Sequence, residues 1–175
     1  VGGFRLGLEK SNKNFFKTKW VNQWEPSKKS QDAFEIYNFH YHGKSENLNL
    51  NIEEISNDDF KNMKADIIVG GFPCQDYSVA KSKVYEKGIE GKKGILFWQI
   101  IRATKIIKPT YLILENVDRL LKSPSIQKGR DFSIMLKSFD KLGYSVEWRI
   151  INAADYGEAQ KRKRVFLFIY KNESK

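Results

Sequence analysis

Residues 65–78 read ADIIVGGFPCQDYS: an apolar run that stops at two glycines and turns into Pro73 and Cys74, the only cysteine of the chain. A short run rich in β-branched residues and ending in turn residues reads as a strand buried on both faces. Two more runs share this character, TYLILENV at 110–117 and RVFLFIYK at 164–171. FFKTKWVNQ (15–23) and YSVEWRIINA (144–153) are weaker strands with partial alternation. Between the strands, ILFWQIIRATKII (95–107) places Leu96, Ile100, Thr104 and Ile107 on one helical face and stops before Pro109. RDFSIMLKSFDKLG (130–143) repeats the pattern with Phe132, Met135, Leu136, Phe139 and Leu142, closing on Gly143, a residue suited to a left-handed cap. PSKKSQDAFEIYNF (26–39) starts on Pro26, which suits a first helical turn. Strands alternating with helices predict an α/β fold with a parallel sheet and helices on its faces.

Length and composition narrow the setting. A chain of 175 residues suits one domain, and with a single cysteine it forms no internal disulfide, which points to a reducing, cytoplasmic compartment. Its apolar runs fall far short of the roughly 20 residues that span a bilayer, so no membrane attachment is expected. Thirty-one Lys and Arg against 21 Asp and Glu give a net charge of +10. Such an excess suits a polyanion such as nucleic acid, and equally serves solubility. His40 and His42 are the only histidines and the one cysteine has another use, so no metal site is expected. The segment 78–94, with five lysines and three glycines, is long for a loop and follows Cys74 directly.

In an open α/β sheet, ligands gather where strands end in the carboxyl direction. Cys74 follows the first strong strand, Glu115 and Asn116 end the second, and QKRKR (160–164) leads into the third. A lone cysteine is more often a small buried hydrophobe than a nucleophile. A thiol, a carboxylate and two arginines converging on one crevice make the catalytic reading stronger.

The order PCQ, ENV and QxRxR resembles that of the DNA (cytosine-5)-methyltransferases of bacterial restriction-modification systems, and the resemblance runs across the whole chain. VGGFRLGLE is similar to the end of that family's glycine-rich cofactor motif, GIEGKKGILFWQI to the segment after its catalytic loop, and LGYSVEWRIINAADYGEAQKRKR to the run ending in its paired arginines. The resemblance implies a Rossmann-like class I sheet using S-adenosylmethionine, with the first strand outside this sequence. Residues 1–175 would then be an incomplete catalytic domain, without the target-recognition domain and closing helix, belonging to a protein that is monomeric when complete.

The same resemblance implies site roles. Cys74 would add to C6 of a cytosine flipped out of double-stranded DNA, since C5 is not nucleophilic enough to take a methyl group unaided. Nearby cations, among them Arg162, Arg164 and Lys81, would favour the thiolate of a group whose ordinary pKa is about 8.5. Glu115, protonated or sharing a proton with the base, would bridge N3 and the exocyclic amine, and Arg164 would address O2. Arg162 would lie near the base and its phosphate, Asn116 would brace the turn, and Pro73 would direct it. Gly2, Gly3, Gln23, Trp24, Asn51, Ile52, Gly71 and Leu96 would line the methyl donor. Gln23 stands where an acid is expected, a change worth about 1 kcal/mol; Asn51 likewise replaces an acid, and Lys93 an arginine. The alternatives are the same chemistry on RNA, or a subunit that binds donor or nucleic acid without turnover.

Overall fold

The computed structural model describes residues 1–26, 28–72, 96–122 and 128–172. They gather into two compact units, Val1–Ala65 and Asp66–Lys175.

The first unit carries helix α1 (Gly3–Ser11), strand β1 (Trp20–Asn22), helix α2 (Asp32–Tyr41), strand β2 (Glu46–Leu48) and helix α3 (Asn57–Asn62). β1 and β2 pair in parallel, Trp20 opposite Glu46 and Asn22 opposite Leu48. The strand expected over 15–23 is therefore only its second half, because Asn12 folds the residues before it into a turn, its side-chain oxygen accepting from the backbone N–H groups of Asn14 and Phe15. The helix expected from Pro26 begins six residues later. The Gln31 side chain accepts from the Glu25 N–H and donates to the Glu25 carbonyl, holding Gln31 against Glu25 just before the helix starts. Asp32 and Glu35 then place negative charge in the first turn of α2, where the helix dipole favours it. α3 opens with a capping box, Ser56 and Asp59 each bonding to the other's backbone N–H. The Ser56 hydroxyl, and then the Ser56 backbone N–H, donate to the Asp59 carboxylate and hold it below its ordinary pKa.

α1 is held by one buried guanidinium. Arg5 pairs with Glu9 at 2.8 Å, donates to the Tyr37 hydroxyl and to Ser45 Oγ at 3.0 Å each, and lies 4.1 Å over the Tyr41 ring.

The second unit holds β3 (Ile67–Gly71), α4 (Leu96–Ile107), β4 (Tyr111–Val117), α5 (Arg130–Lys141), β5 (Tyr144–Asn152) and β6 (Lys163–Lys171), with 3₁₀ turns at Asp118–Lys122 and Ala153–Tyr156. The strand order is β3-β4-β6-β5. β3 and β4 are parallel, whereas β6 is antiparallel to both its neighbours, so β5 points the same way as β3 and β4 and only β6 is reversed. The expected parallel sheet thus carries one antiparallel strand, β6. A parallel return needs a crossover of a dozen or more residues, usually a helix, and the short link between β5 and β6 holds only a 3₁₀ turn and Gly157 in the left-handed region.

The core lies between one sheet face and the two long helices: Phe97 and Ile101 of α4 and Phe132, Met135 and Phe139 of α5 against Leu112, Leu114, Val165, Leu167 and Ile169. In α4 the deepest residues are Phe97, Ile101 and Thr104, so the buried stripe is turned slightly from the expected Leu96–Ile100–Thr104 line. β4 alternates instead of being buried on both faces. Leu112, Leu114 and Asn116 are buried, while Tyr111 is half-exposed and stacks on Phe168 of β6. The Tyr144 hydroxyl donates to the Pro109 carbonyl at 2.6 Å, and burial pushes the phenol's pKa up. Gly143, with φ of 81°, turns the chain from α5 into β5 as expected. Among the described residues no helix is long and apolar enough to cross a membrane.

Candidate active site

Two features of sheet pairing assemble a polar cluster at one edge of the second unit. Because β3 and β4 are parallel, their carboxyl ends coincide and Gly71 lies opposite Glu115. Because β6 runs the other way, its first residues lie beside the last ones of β4, with Val117 opposite Arg164. The result is an ion pair between Arg164 Nε and Glu115 Oε1 at 2.8 Å, the two side chains 24% and 26% exposed. The Arg164 guanidinium also donates to the Lys163 carbonyl at 2.7 Å.

Asn116 points to the opposite side of β4 and is fully buried. Its Nδ2 donates to the Phe72 carbonyl at 2.8 Å and its Oδ1 accepts from the Val117 N–H. One side chain therefore clamps the end of β4 to the segment leaving β3, two residues before Cys74. Cys74, Pro73, Lys81, Lys93 and the loop 78–94 lie outside the described residues.

Of the expected catalytic residues, the fold brings Glu115, Asn116 and Arg164 to one strand edge. Arg162 lies two residues before Arg164 with an exposed side chain, its carbonyl accepting from the Ala153 N–H. An acidic strand end beside a basic strand start can present a carboxylate and a guanidinium together to a planar ligand bearing both donors and acceptors.

The expected donor-binding residues divide between the units. In the first, Gln23 and Trp24 follow β1, and Asn51 and Ile52 lie just beyond β2, at the same edge of the parallel pair. Asn22 laces the two chain segments together, donating to the Leu50 carbonyl and accepting from the Leu50 N–H, and the Gln23 N–H donates to the Leu48 carbonyl. The Trp24 indole is 37% exposed, and Asn51 accepts from the Glu53 N–H. An accessible aromatic face with carboxamides nearby fits the adenosine part of a nucleoside donor. Gly2 caps α1 in the left-handed region, and a Cβ there would lie 3.2 Å from the Tyr41 ring; a Cβ on Gly3 would meet none of the described residues within 4 Å. The contacts of Gly2 are thus with the second half of α2. In the second unit Leu96 opens α4, half-buried. Gly71 faces Glu115 closely: a Cβ there would stand 3.1 Å from Oε2. Sequence reasoning missed that proximity, since it depends on strand register. Among the described residues no group of three metal-ligating side chains occurs.

Comparison with known proteins matches this arrangement to a family. The family model for C-5 cytosine-specific DNA methylases covers residues 1–175. The chain is 58% identical over 173 residues to type II methyltransferase M.Sau3AI of Staphylococcus aureus, covering 99% of this chain and 42% of that protein. It is 30% identical over 173 residues to type II methyltransferase M.HhaI of Haemophilus parahaemolyticus, covering 99% and 47%. The chain therefore spans less than half the length of these relatives. Among solved structures, a mutant of Spodoptera frugiperda DNMT2 superposes with a TM-score of 0.70 at 16% identity, over 99% of this chain and 48% of that one. That likeness bears on the fold, which is the Rossmann-like α/β arrangement expected. With a family model matched from end to end and relatives aligned along nearly all of it, the chain belongs to the C-5 cytosine-specific DNA methylase family.

Proposed function

We propose that this protein methylates C5 of cytosine in double-stranded DNA as the modification enzyme of a restriction-modification system, through a covalent bond between Cys74 and C6. Bound S-adenosylmethionine supplies the electrophilic methyl group. The Cys74 thiolate attacks C6, and the displaced electron pair runs toward N3 and O2, leaving an enamine whose C5 is nucleophilic. After methyl transfer, loss of the C5 proton and expulsion of the thiolate restore the aromatic ring and the free enzyme. Glu115 shares a proton with N3 and accepts from the exocyclic amine while Arg164 donates to O2, groups set in place before the charge develops. Arg162, exposed beside them, serves the base and its phosphate. Asn116 braces the chain at Phe72, just before Pro73 and Cys74 in sequence. Gln23, Trp24, Asn51 and Ile52, with Gly2 and Gly3, line the donor in the first unit.

Residues 1–175 form part of a catalytic domain, with base-sequence recognition residing elsewhere in the protein. It acts as a monomer in the cytoplasm, and its net charge of +10 favours DNA through counterion release. The observation that carries this reading is the Glu115–Arg164 pair at a strand edge beside the Asn116 clamp on Phe72, in a chain of this family. It is tested by incubating the whole protein with S-adenosylmethionine and DNA made throughout with 5-fluorocytosine, in which the C5 fluorine blocks release. A denaturation-resistant adduct that disappears in Cys74→Ser is expected. No adduct with the wild type, or an undiminished one with the serine variant, refutes the mechanism.

A further inference from the structure

Among the described residues, the Glu115 carboxylate has a neighbour on β6 and another on β3. Oε1 takes Arg164 of β6 at 2.8 Å, and Oε2 lies over Gly71 of β3, where an added Cβ would come within 3.1 Å of it. Gly71 and Glu115 are direct partners in the parallel register, so their substituents share a sheet face. Gly71 is not among the residues with positive φ, so its backbone accepts alanine, and what a methyl group would disturb is the carboxylate. The preceding Gly70 differs: a Cβ there meets none of the described residues within 4 Å. Two adjacent glycines thus carry unequal constraints, and only the second touches the proposed catalytic acid.

We propose that Gly71 is a positioning residue for Glu115: the missing side chain is the seat of Oε2, and it sets the carboxylate plane while Arg164 holds the other oxygen. This rests on the reading that Glu115 addresses the cytosine ring, and it departs from the expectation that Gly71 serves the methyl donor. A methyl group at 71 displaces Oε2 by a few tenths of an ångström, which either lengthens the pair with Arg164 or rotates the carboxylate away from the position the base edge will take. Misplacement on this scale acts on the chemical step and leaves donor binding alone.

The test compares wild type, Gly70→Ala, Gly71→Ala, Glu115→Gln, Glu115→Asp and Gly71→Ala/Glu115→Asp in the whole protein, following methyl incorporation into mixed-sequence genomic DNA and adduct formation on 5-fluorocytosine DNA. Gly71→Ala is expected to lower kcat about tenfold or more with the KM for S-adenosylmethionine within about twofold, while Gly70→Ala stays near wild type. In the Glu115→Asp background, where the shorter carboxylate withdraws from the added methyl, the same alanine is expected to cost less than about threefold, a non-additivity that a general loss of stability does not produce. A raised donor KM at unchanged kcat overturns the proposal, as does an equal effect of the alanine in both backgrounds. An inactive Glu115→Gln beside a fully active Gly71→Ala overturns this proposal alone; a fully active Glu115→Gln overturns the reading beneath it as well.

Discussion

Replacing Asn116 by alanine should separate what holds the site together from what reacts there. The side chain is fully buried, donates to the Phe72 carbonyl at 2.8 Å and accepts from the Val117 N–H at 2.8 Å. Each buried group deprived of a partner costs about 1–3 kcal/mol. The Phe72 bond joins residues far apart in sequence and is buried throughout, so it carries most of the effect, and a total near 3 kcal/mol is expected. For a folding unit of this length 1 kcal/mol corresponds to about 2–4 °C in Tm, which places the drop at about 6–12 °C. The assay is thermal and urea unfolding of Asn116→Ala against wild type. Because Phe72 lies two residues before Cys74, adduct formation on 5-fluorocytosine DNA should also slow well below the new Tm, by as much as about 100-fold for a shift near 1 Å. A Tm change under about 2 °C would show that Asn116 does not clamp the two strand ends.

Three further outcomes follow from other contacts. Glu115→Gln is expected to reduce methyl transfer at least about 100-fold while changing stability by no more than about 1 kcal/mol, since its pair with Arg164 is about a quarter exposed; paired kinetic and denaturation curves check this. Arg5→Met should destabilise the chain by about 2–4 kcal/mol in urea unfolding, and Arg5→Lys should not restore it, because an ammonium cannot reach Glu9, Tyr37 and Ser45 together. The phenol of Tyr144 is raised in the fold above the ordinary tyrosine value of about 10, so its contribution is fully present below that value and is lost as pH rises through the folded pKa. Stability measured up to pH 11 should therefore decline more steeply in wild type than in Tyr144→Phe.

The strongest strands were legible because their apolar runs are continuous: those read at 65–71, 110–117 and 164–171 end within two residues of β3, β4 and β6. The long helices α4 and α5 were legible from their periodicity. β2 was not, since three residues pairing with a distant strand leave no local pattern. α3 carried a signal that went unread, the Ser56–Asp59 capping box.

By itself, the sequence determined the element types, the chemistry at the strand ends and the family motifs in their order, because each is written in neighbouring residues. It also determined that Glu115 and Arg164 lie at the ends of strands. Only the tertiary structure decided that they form a pair. That contact requires β6 to run opposite to β4 in a register placing Arg164 across from Val117, and strand direction and register are set by connection length and core packing, not by the residues at the contact. The closeness of Gly71 to the same carboxylate is equally a product of register, since a glycine read alone shows only what it lacks and the fold decides what fills the space.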